Sequence, residues 1–305
     1  MPTATMIHPW PALPWPAWRD TATTLHRWCQ VVGKVKLEQT TLVNHWWNVS
    51  FRQTARGLTT AAIPHGDRTF EITFDFVAHR VRILASNGDA ATITLGPRSV
   101  ASFYRELMEE LAALDLEVRI RPLPVEVPDH IPLDRDEEHR SYEPEEVDRF
   151  FAALTTADRL MHEFRSRFVG KCSPVQFFWG GFDHAVTRFS GRRAPEHPSV
   201  PNVPDHVVRE AYSHEVSSCG FWPGGDNFPE PVFYSYAYPE PPGFRDAAIH
   251  PREAHWAGAL GEFVLPYEAV RLAPDPDRLV LDFFQSTYEA AADLGRWDRA
   301  ALERG

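Results

Sequence analysis

Proline is the residue that most restricts what this chain can fold into. There are 27 prolines in 305 residues, near twice the usual share of about 5%. They crowd into four stretches, Pro9 to Pro16, Pro122 to Pro132, Pro195 to Pro204 and Pro223 to Pro242. Proline has no N–H to give and holds φ fixed, so these stretches read as extended connectors rather than helix or central strand. The chain is therefore divided into a proline-rich arm (1–18), a first half (19–121), a proline-rich and acidic connector (122–144) and a second half (145–305).

Between the connectors the apolar spacing alternates between helix and strand periods. Leu25, Trp28, Cys29 and Val32 recur at helical spacing over 19–32, with Gly33 read as the stop. A strand over 44–56 is expected next. Phe70, Ile72, Phe74 and Phe76 alternate with Glu71, Thr73 and Asp75, the pattern of an antiparallel strand with one wet face. Asn87-Gly88 between Val81-Arg82-Ile83 and the run 91–95 marks a hairpin. Ser99 reads as the N-cap of a helix to about Leu114, with Phe103, Leu107 and Leu111 on one face.

The second half repeats this order with longer loops. A helix over 145–168 carries Phe150, Leu154, Leu160 and Phe164 as its stripe. Strands follow at about 175–190, 211–221 and 231–238, with a short one at 261–265, and a helix over 277–293 closes the chain. Local echoes accompany the shared order. Val32-Gly33-Lys34 answers Val169-Gly170-Lys171, Trp46-Trp47 answers Phe178-Trp179, and Arg56 and Arg188 each follow the tryptophan by nine residues. The expectation is an α+β fold of antiparallel sheets flanked by helices, built as two pseudo-repeated helix-strands-helix halves with a cleft between them. One irregular α+β domain is the alternative.

Composition removes several classes. Lys and Arg number 31 against 42 Asp and Glu, a net charge of −11, which has the wrong sign for gripping nucleic acid. No run approaches the roughly 18 apolar residues of a membrane span, and the opening residues have no signal-peptide pattern, so a cytoplasmic protein is expected. Cys29, Cys172 and Cys219 form no C-x-x-C pair, so reduced thiols and no metal site are expected. The oligomeric state stays open.

The named catalytic motifs fail. Gly170-Lys171-Cys172 lacks the first glycine and the hydroxyl of a phosphate loop, no G-x-G-x-x-G or G-x-S-x-G occurs, and His214-Glu215 lacks the second histidine of a zinc protease helix. What remains are polar residues set among aromatic ones, where an unpaired polar group is costly. On a strand over 44–56, His45 and Trp47 share one face and Arg56 with Asn48 the other. Behind the double glycine Gly180-Gly181, His184, Val186 and Arg188 share a face, and Arg188 disfavours the charged imidazole. In the run Tyr212 to Cys219, alternation separates His214 from Glu215 and Cys219, so His214 is not the base for that thiol. Tyr234, Tyr236 and Tyr238 form a row that suits either a planar ligand or ordinary cross-strand pairing. The candidate catalytic residues are thus His184, His214 and Glu215, and the candidate ligand-binding residues Trp47, Arg56, Trp179, Arg188, Cys219 and Tyr236.

The strings Asn44-His45-Trp46-Trp47, Thr54-Ala55-Arg56-Gly57-Leu58-Thr59-Thr60, Gly170-Lys171-Cys172-Ser173-Pro174-Val175, Thr187-Arg188-Phe189-Ser190-Gly191-Arg192-Arg193, Tyr212-Ser213-His214-Glu215 and Cys219-Gly220-Phe221-Trp222-Pro223-Gly224-Gly225 are long and specific. With Trp10-Pro11-Ala12-Leu13-Pro14-Trp15 and the run 285–295, they give a chain that resembles, over nearly its whole length, a bacterial family known only as domain of unknown function 5996. The resemblance implies no activity and no site residues. The expected function is the binding of a small polar or anionic molecule in an aromatic-lined cleft between the halves, with no cofactor. Its enzymatic form is a hydrolase or isomerase, and the alternative is a non-catalytic binding or protein-interaction module.

Overall fold

A computed structural model describes residues 9–200 and 203–304. Helix α1 (Trp15–Gln39) opens at Pro14 and Pro16, where the missing N–H costs nothing because the first helical turn has no acceptor for it. The arm before it is packed rather than loose. Trp10 and Leu13 are buried, and the Tyr267 hydroxyl donates to Pro11 O at 2.9 Å. Residues 1–8 of the proline-rich arm lie outside the described residues.

Gly33 does not end α1, which runs six residues further. A Cβ there would lie 2.3 Å from the Trp179 ring, so the glycine serves close packing of an indole on the helix. A second expectation fails just beyond. Residues 44–46 form a single 3-10 turn in place of the expected strand, because His45 and Trp46 have left-handed φ values of 60° and 61°. His45 and Trp47 therefore do not share a strand face.

The first sheet is antiparallel: β1 (Arg52–Thr54), β2 (Gly57–Thr59), β3 (Ile63–His65), β4 (Arg68–Asp75), β5 (Arg80–Ala85) and β6 (Ala90–Thr94), in the order β1-β2-β4-β5-β6 with β3 also on β4. The alternation is realised, with Phe70, Ile72 and Phe74 buried and Glu71 and Thr73 partly exposed. Asn87-Gly88 joins β5 to β6, with Gly88 at φ 96°. Ser99 caps α2 (Val100–Ala113) by accepting from Ser102 N at 3.1 Å. The connector that follows has neither helix nor strand, folds back on itself through Leu133 N to Pro122 O at 2.7 Å, and leads to α3 (Pro144–Ser166).

The second sheet is built from β7 (Gln176–Phe178), β8 (Asp183–Arg193), β9 (His214–Trp222), β10 (Val232–Tyr238), β11 (His255–Ala257) and β12 (Glu262–Pro266), ordered β11-β12-β10-β9-β8-β7 and antiparallel throughout. Helix α4 (Asp205–Ala211) precedes β9, and α5 (Tyr267–Arg271), α6 (Pro276–Leu294) and α7 (Arg299–Leu302) complete the chain. The two sheets meet at their edges through a reciprocal pair, Phe51 N to Phe177 O at 2.8 Å and Phe177 N to Phe51 O at 3.0 Å.

Helices α2, α1, α3 and α6 lie side by side in that order against the joined sheets. Trp28 of α1 stacks on Phe103 of α2 at 5.1 Å, and Trp18 on Phe150 of α3 at the same distance. One apolar core runs through both halves, so α1 belongs to the packing of each. The fold is α+β with two six-stranded antiparallel sheets. Among the described residues no helix is long and apolar enough to cross a membrane.

Candidate functional site

Because side chains alternate along a strand, β8 sends its residues to two different surroundings. His184, Val186 and Arg188 face the helices, where His184 meets Asp158 of α3 and Arg188 meets Phe164. Asp183, Ala185 and Thr187 face the opposite, open side of the second sheet. There they join Ser218 and Gly220 of β9, the tyrosine row of β10 and Glu262 of β12, as the cross-strand register requires.

This face carries a cluster of carboxyl and phenol groups. Tyr234 donates its hydroxyl to Asp183 Oδ2. Tyr234 and Tyr236 stack at 6.2 Å with rings 13° apart, and the Tyr236 and Tyr212 hydroxyls are 2.9 Å apart. The Thr187 and Ser218 hydroxyls bond at 2.9 Å on the floor. The third carboxyl comes from the proline-rich connector. Glu126, exposed at the rim, lies over the double glycine, where a Cβ on Gly180 would fall 2.2 Å from its Oε1. The glycine pair is thus an indentation that admits a side chain from the connector.

These carboxyls are held away from their ordinary ionisation range. Burial pushes Asp183 up to about 6, against the hydrogen bond from Tyr234. Although Glu126 as a whole is exposed, its carboxyl packs against Gly180 and Gly181, and burial there and then the Asp183 charge push it up to about 7; the same two effects push Glu262 up to about 8. Burial likewise raises Tyr212 to about 12. A group of acids spread across neutrality can hold donors and acceptors together at pH 7. Among the described residues no group of three or more His, Cys, Asp or Glu side chains is arranged to hold a metal ion.

A second cluster sits further along the same face, about 20 Å from Asp183 by strand rise. Lys171 Nζ donates to His45 Nε2 at 2.6 Å, while His45 Nδ1 donates to Ala211 O at 3.0 Å. The imidazole is therefore neutral, and its pKa is lowered by burial and then by Lys171. His214 meets the His45 ring edge-on at 5.7 Å, and the Trp47 ring lies 5.6 Å from the Lys171 ammonium. Burial, Lys171 and Arg193 lower His214 as well.

The sequence candidates are thus scattered over several surroundings. Tyr236 is in the carboxyl cluster, and Trp47 and His214 are in the imidazole cluster. His184 is fully buried, with Nε2 2.8 Å from Asp158 Oδ1. Its pKa is lowered chiefly by burial, with Asp158 opposing and Arg188 playing no leading part. Glu215 is taken by Arg192, whose Nη2 is 2.7 Å from its Oε2. Arg56 binds Asp75 through two nitrogens, each at 2.9 Å. Trp179 packs on α1 and donates to Val49 O at 2.9 Å. Cys219 is buried on the helix side and its thiol pKa is raised by burial. Arg56, Arg188, His184 and His214 do not line a shared hollow.

Asp183, Glu262, Glu126 and Tyr212 escaped the sequence reading. Asp183 and His184 are adjacent polar residues after an aromatic run, so alternation had to send one to each face. Glu262 has the same signature, an acid entering the apolar run Phe263-Val264-Leu265.

No curated protein and no solved structure matches the chain. A model of a family of unknown function, DUF5996, matches residues 10–304. With a match across nearly its whole length, this chain belongs to that family.

Proposed function

We propose that the open face of the second sheet binds a small polar molecule, neutral or cationic, between the stacked Tyr234 and Tyr236 rings and the carboxyls of Asp183, Glu262 and Glu126. The observation that carries this reading is the convergence of Asp183, Glu262 and Glu126 beside one tyrosine row, with Tyr234 donating to Asp183, the Glu126 carboxyl seated on the double glycine, and all three carboxyls pushed above their ordinary range chiefly by burial. In its enzymatic form, the protein is a cofactor-independent hydrolase or isomerase in which Glu262 gives a proton and ionised Asp183 takes one. The rings supply apolar walls for a sugar-like or planar body, and Ser218 and Thr187 supply hydroxyl contacts.

An anionic ligand has no support in this cluster. The charges beside its carboxyls are other carboxyls, and Arg56 is already committed to Asp75. The chain acts in the cytoplasm with free thiols. Its halves are related copies, each contributing a long helix, a six-stranded antiparallel sheet and a further helix.

The test is a thermal-shift screen of neutral polyols, sugars, amines and carboxylates, followed by titration of the hits against variants. A neutral or cationic hit that is weakened by Tyr234→Ala and loses turnover, but not binding, in Asp183→Asn supports the proposal. Hits confined to carboxylates, or unaffected by both substitutions, would overturn it. Hits that bind through the tyrosines with no turnover in the wild type select the non-catalytic module.

A further inference from the structure

On the helix side of the same sheet, Arg188 is 1% exposed. Its guanidinium stands 3.5 Å above the Phe164 ring, 4.3 Å from Tyr288 and 5.0 Å from Phe168. Among the described residues it enters no ion pair within 4.0 Å, unlike buried Arg27, which pairs with Asp129 and Asp136. One nitrogen donates to Phe164 O, and Nε, also buried, has no partner. A buried cation without a counter-charge is costly even when aromatic faces and a helix C-terminus offset part of it.

Arg188 lines a half-open pocket of about 390 Å³, together with Arg167, Arg304, Ser166, Gln285 and Glu303. Among the described residues, three cations therefore line it against one carboxylate. That carboxylate is already engaged, since Glu303 accepts from Arg299 Nε at 2.6 Å and from Tyr288 at 2.9 Å. Arg304 is fixed by its bond to Ser166 O at 2.8 Å, and Arg167 leans on Glu163 at 2.7 Å. The same lining holds a free acceptor: Gln285 Oε1 is buried without a partner, while its amide nitrogen bonds Glu289.

We propose that this cavity is a binding site for a small oxyanion that carries a hydrogen-bond donor of its own, such as a protonated phosphate group. The anionic oxygens answer Arg188 and Arg304, and the O–H answers Gln285 Oε1. The site is separate from the carboxyl cluster, which lies across the sheet and repels anions.

Calorimetric titration of the full chain with inorganic phosphate and with sulfate, at constant ionic strength near pH 7, tests this directly. Phosphate is expected to saturate one site and to bind more tightly than sulfate, which has no proton to donate at that pH. The rim variant Arg304→Gln is expected to weaken phosphate about tenfold, the loss of one charge-assisted hydrogen bond. Gln285→Leu is expected to erase the preference for phosphate over sulfate. Both variants spare the buried Arg188, so folding is retained. No saturable heat with either anion, or unchanged binding in both variants, would overturn the site and leave Arg188 as a cap on the carbonyls that end α3.

Discussion

Gln30 of α1 grips Val125 by both backbone groups: its amide nitrogen donates to Val125 O at 2.7 Å, and Val125 N donates to its Oε1 at 2.8 Å. One side chain thus imitates a strand partner for a connector that proline keeps out of any sheet. The next residue is Glu126, so the grip sets where that carboxyl meets Asp183.

Gln30→Leu is therefore expected to release the connector while α1 stays folded. Two partly buried backbone groups lose partners, a cost of about 1–3 kcal/mol. Hydrogen exchange should show early loss of protection at the Val125 amide, and the Glu126 carboxyl should titrate closer to an ordinary glutamate. Retained protection at Val125 would show that the connector is held by other contacts.

The cluster also predicts a sign for stability against pH. Carboxyls raised in the folded state keep protons that the unfolded chain has already released near pH 4, so their contribution to stability falls as pH rises from about 4 to about 8. Glu262→Gln removes its share. From pH 5 to pH 8 the variant should lose about 4–6 °C less in Tm than the wild type, for a contribution of about 3 kcal/mol from a carboxyl raised to about 8. Parallel Tm curves would contradict the raised Glu262.

Gly33→Ala tests the contact that overrode helix propensity. Alanine favours a helix interior by about 1 kcal/mol over glycine, but the new Cβ would fall 2.3 Å from the Trp179 ring. Displacing that indole should cost about 1–3 kcal/mol net in urea unfolding. A stabilised variant would show that Trp179 moves freely.

Thiol labelling distinguishes buried from reachable cysteines. Cys29 and Cys219 are buried, with thiols raised by that burial, and both should resist alkylation in the native state at pH 8. Cys172 is partly exposed and raised to about 11 by burial. It should react some hundredfold more slowly than free cysteine, whose pKa is about 8.5. Fast labelling of Cys219 would reopen it as a reactive group.

Local signals carried much of the fold. The Phe70 to Phe76 alternation, the Asn87-Gly88 turn, the Ser99 cap and the tyrosine row each depend on chemistry within a few residues, and each is found where the pattern puts it. Two expectations failed for tertiary reasons. Gly33 is a glycine because an indole from residue 179 needs its space, and the turn at His45 depends on α4, whose last carbonyls hold the ring. The candidate site was legible only in part. Alternation correctly grouped His184 with Arg188, but a strand pattern does not say which face meets the helices, and in β8 the acid, not the imidazole, took the open one.

The most direct measurement is an NMR titration of the Asp183, Glu126 and Glu262 side-chain carboxyls in the intact protein. A shared, poorly hydrated cluster predicts midpoints near 6, 7 and 8 respectively, with Asp183 moving higher still in Tyr234→Phe. Three independent midpoints near the ordinary value of about 4, unmoved by that substitution, would contradict it.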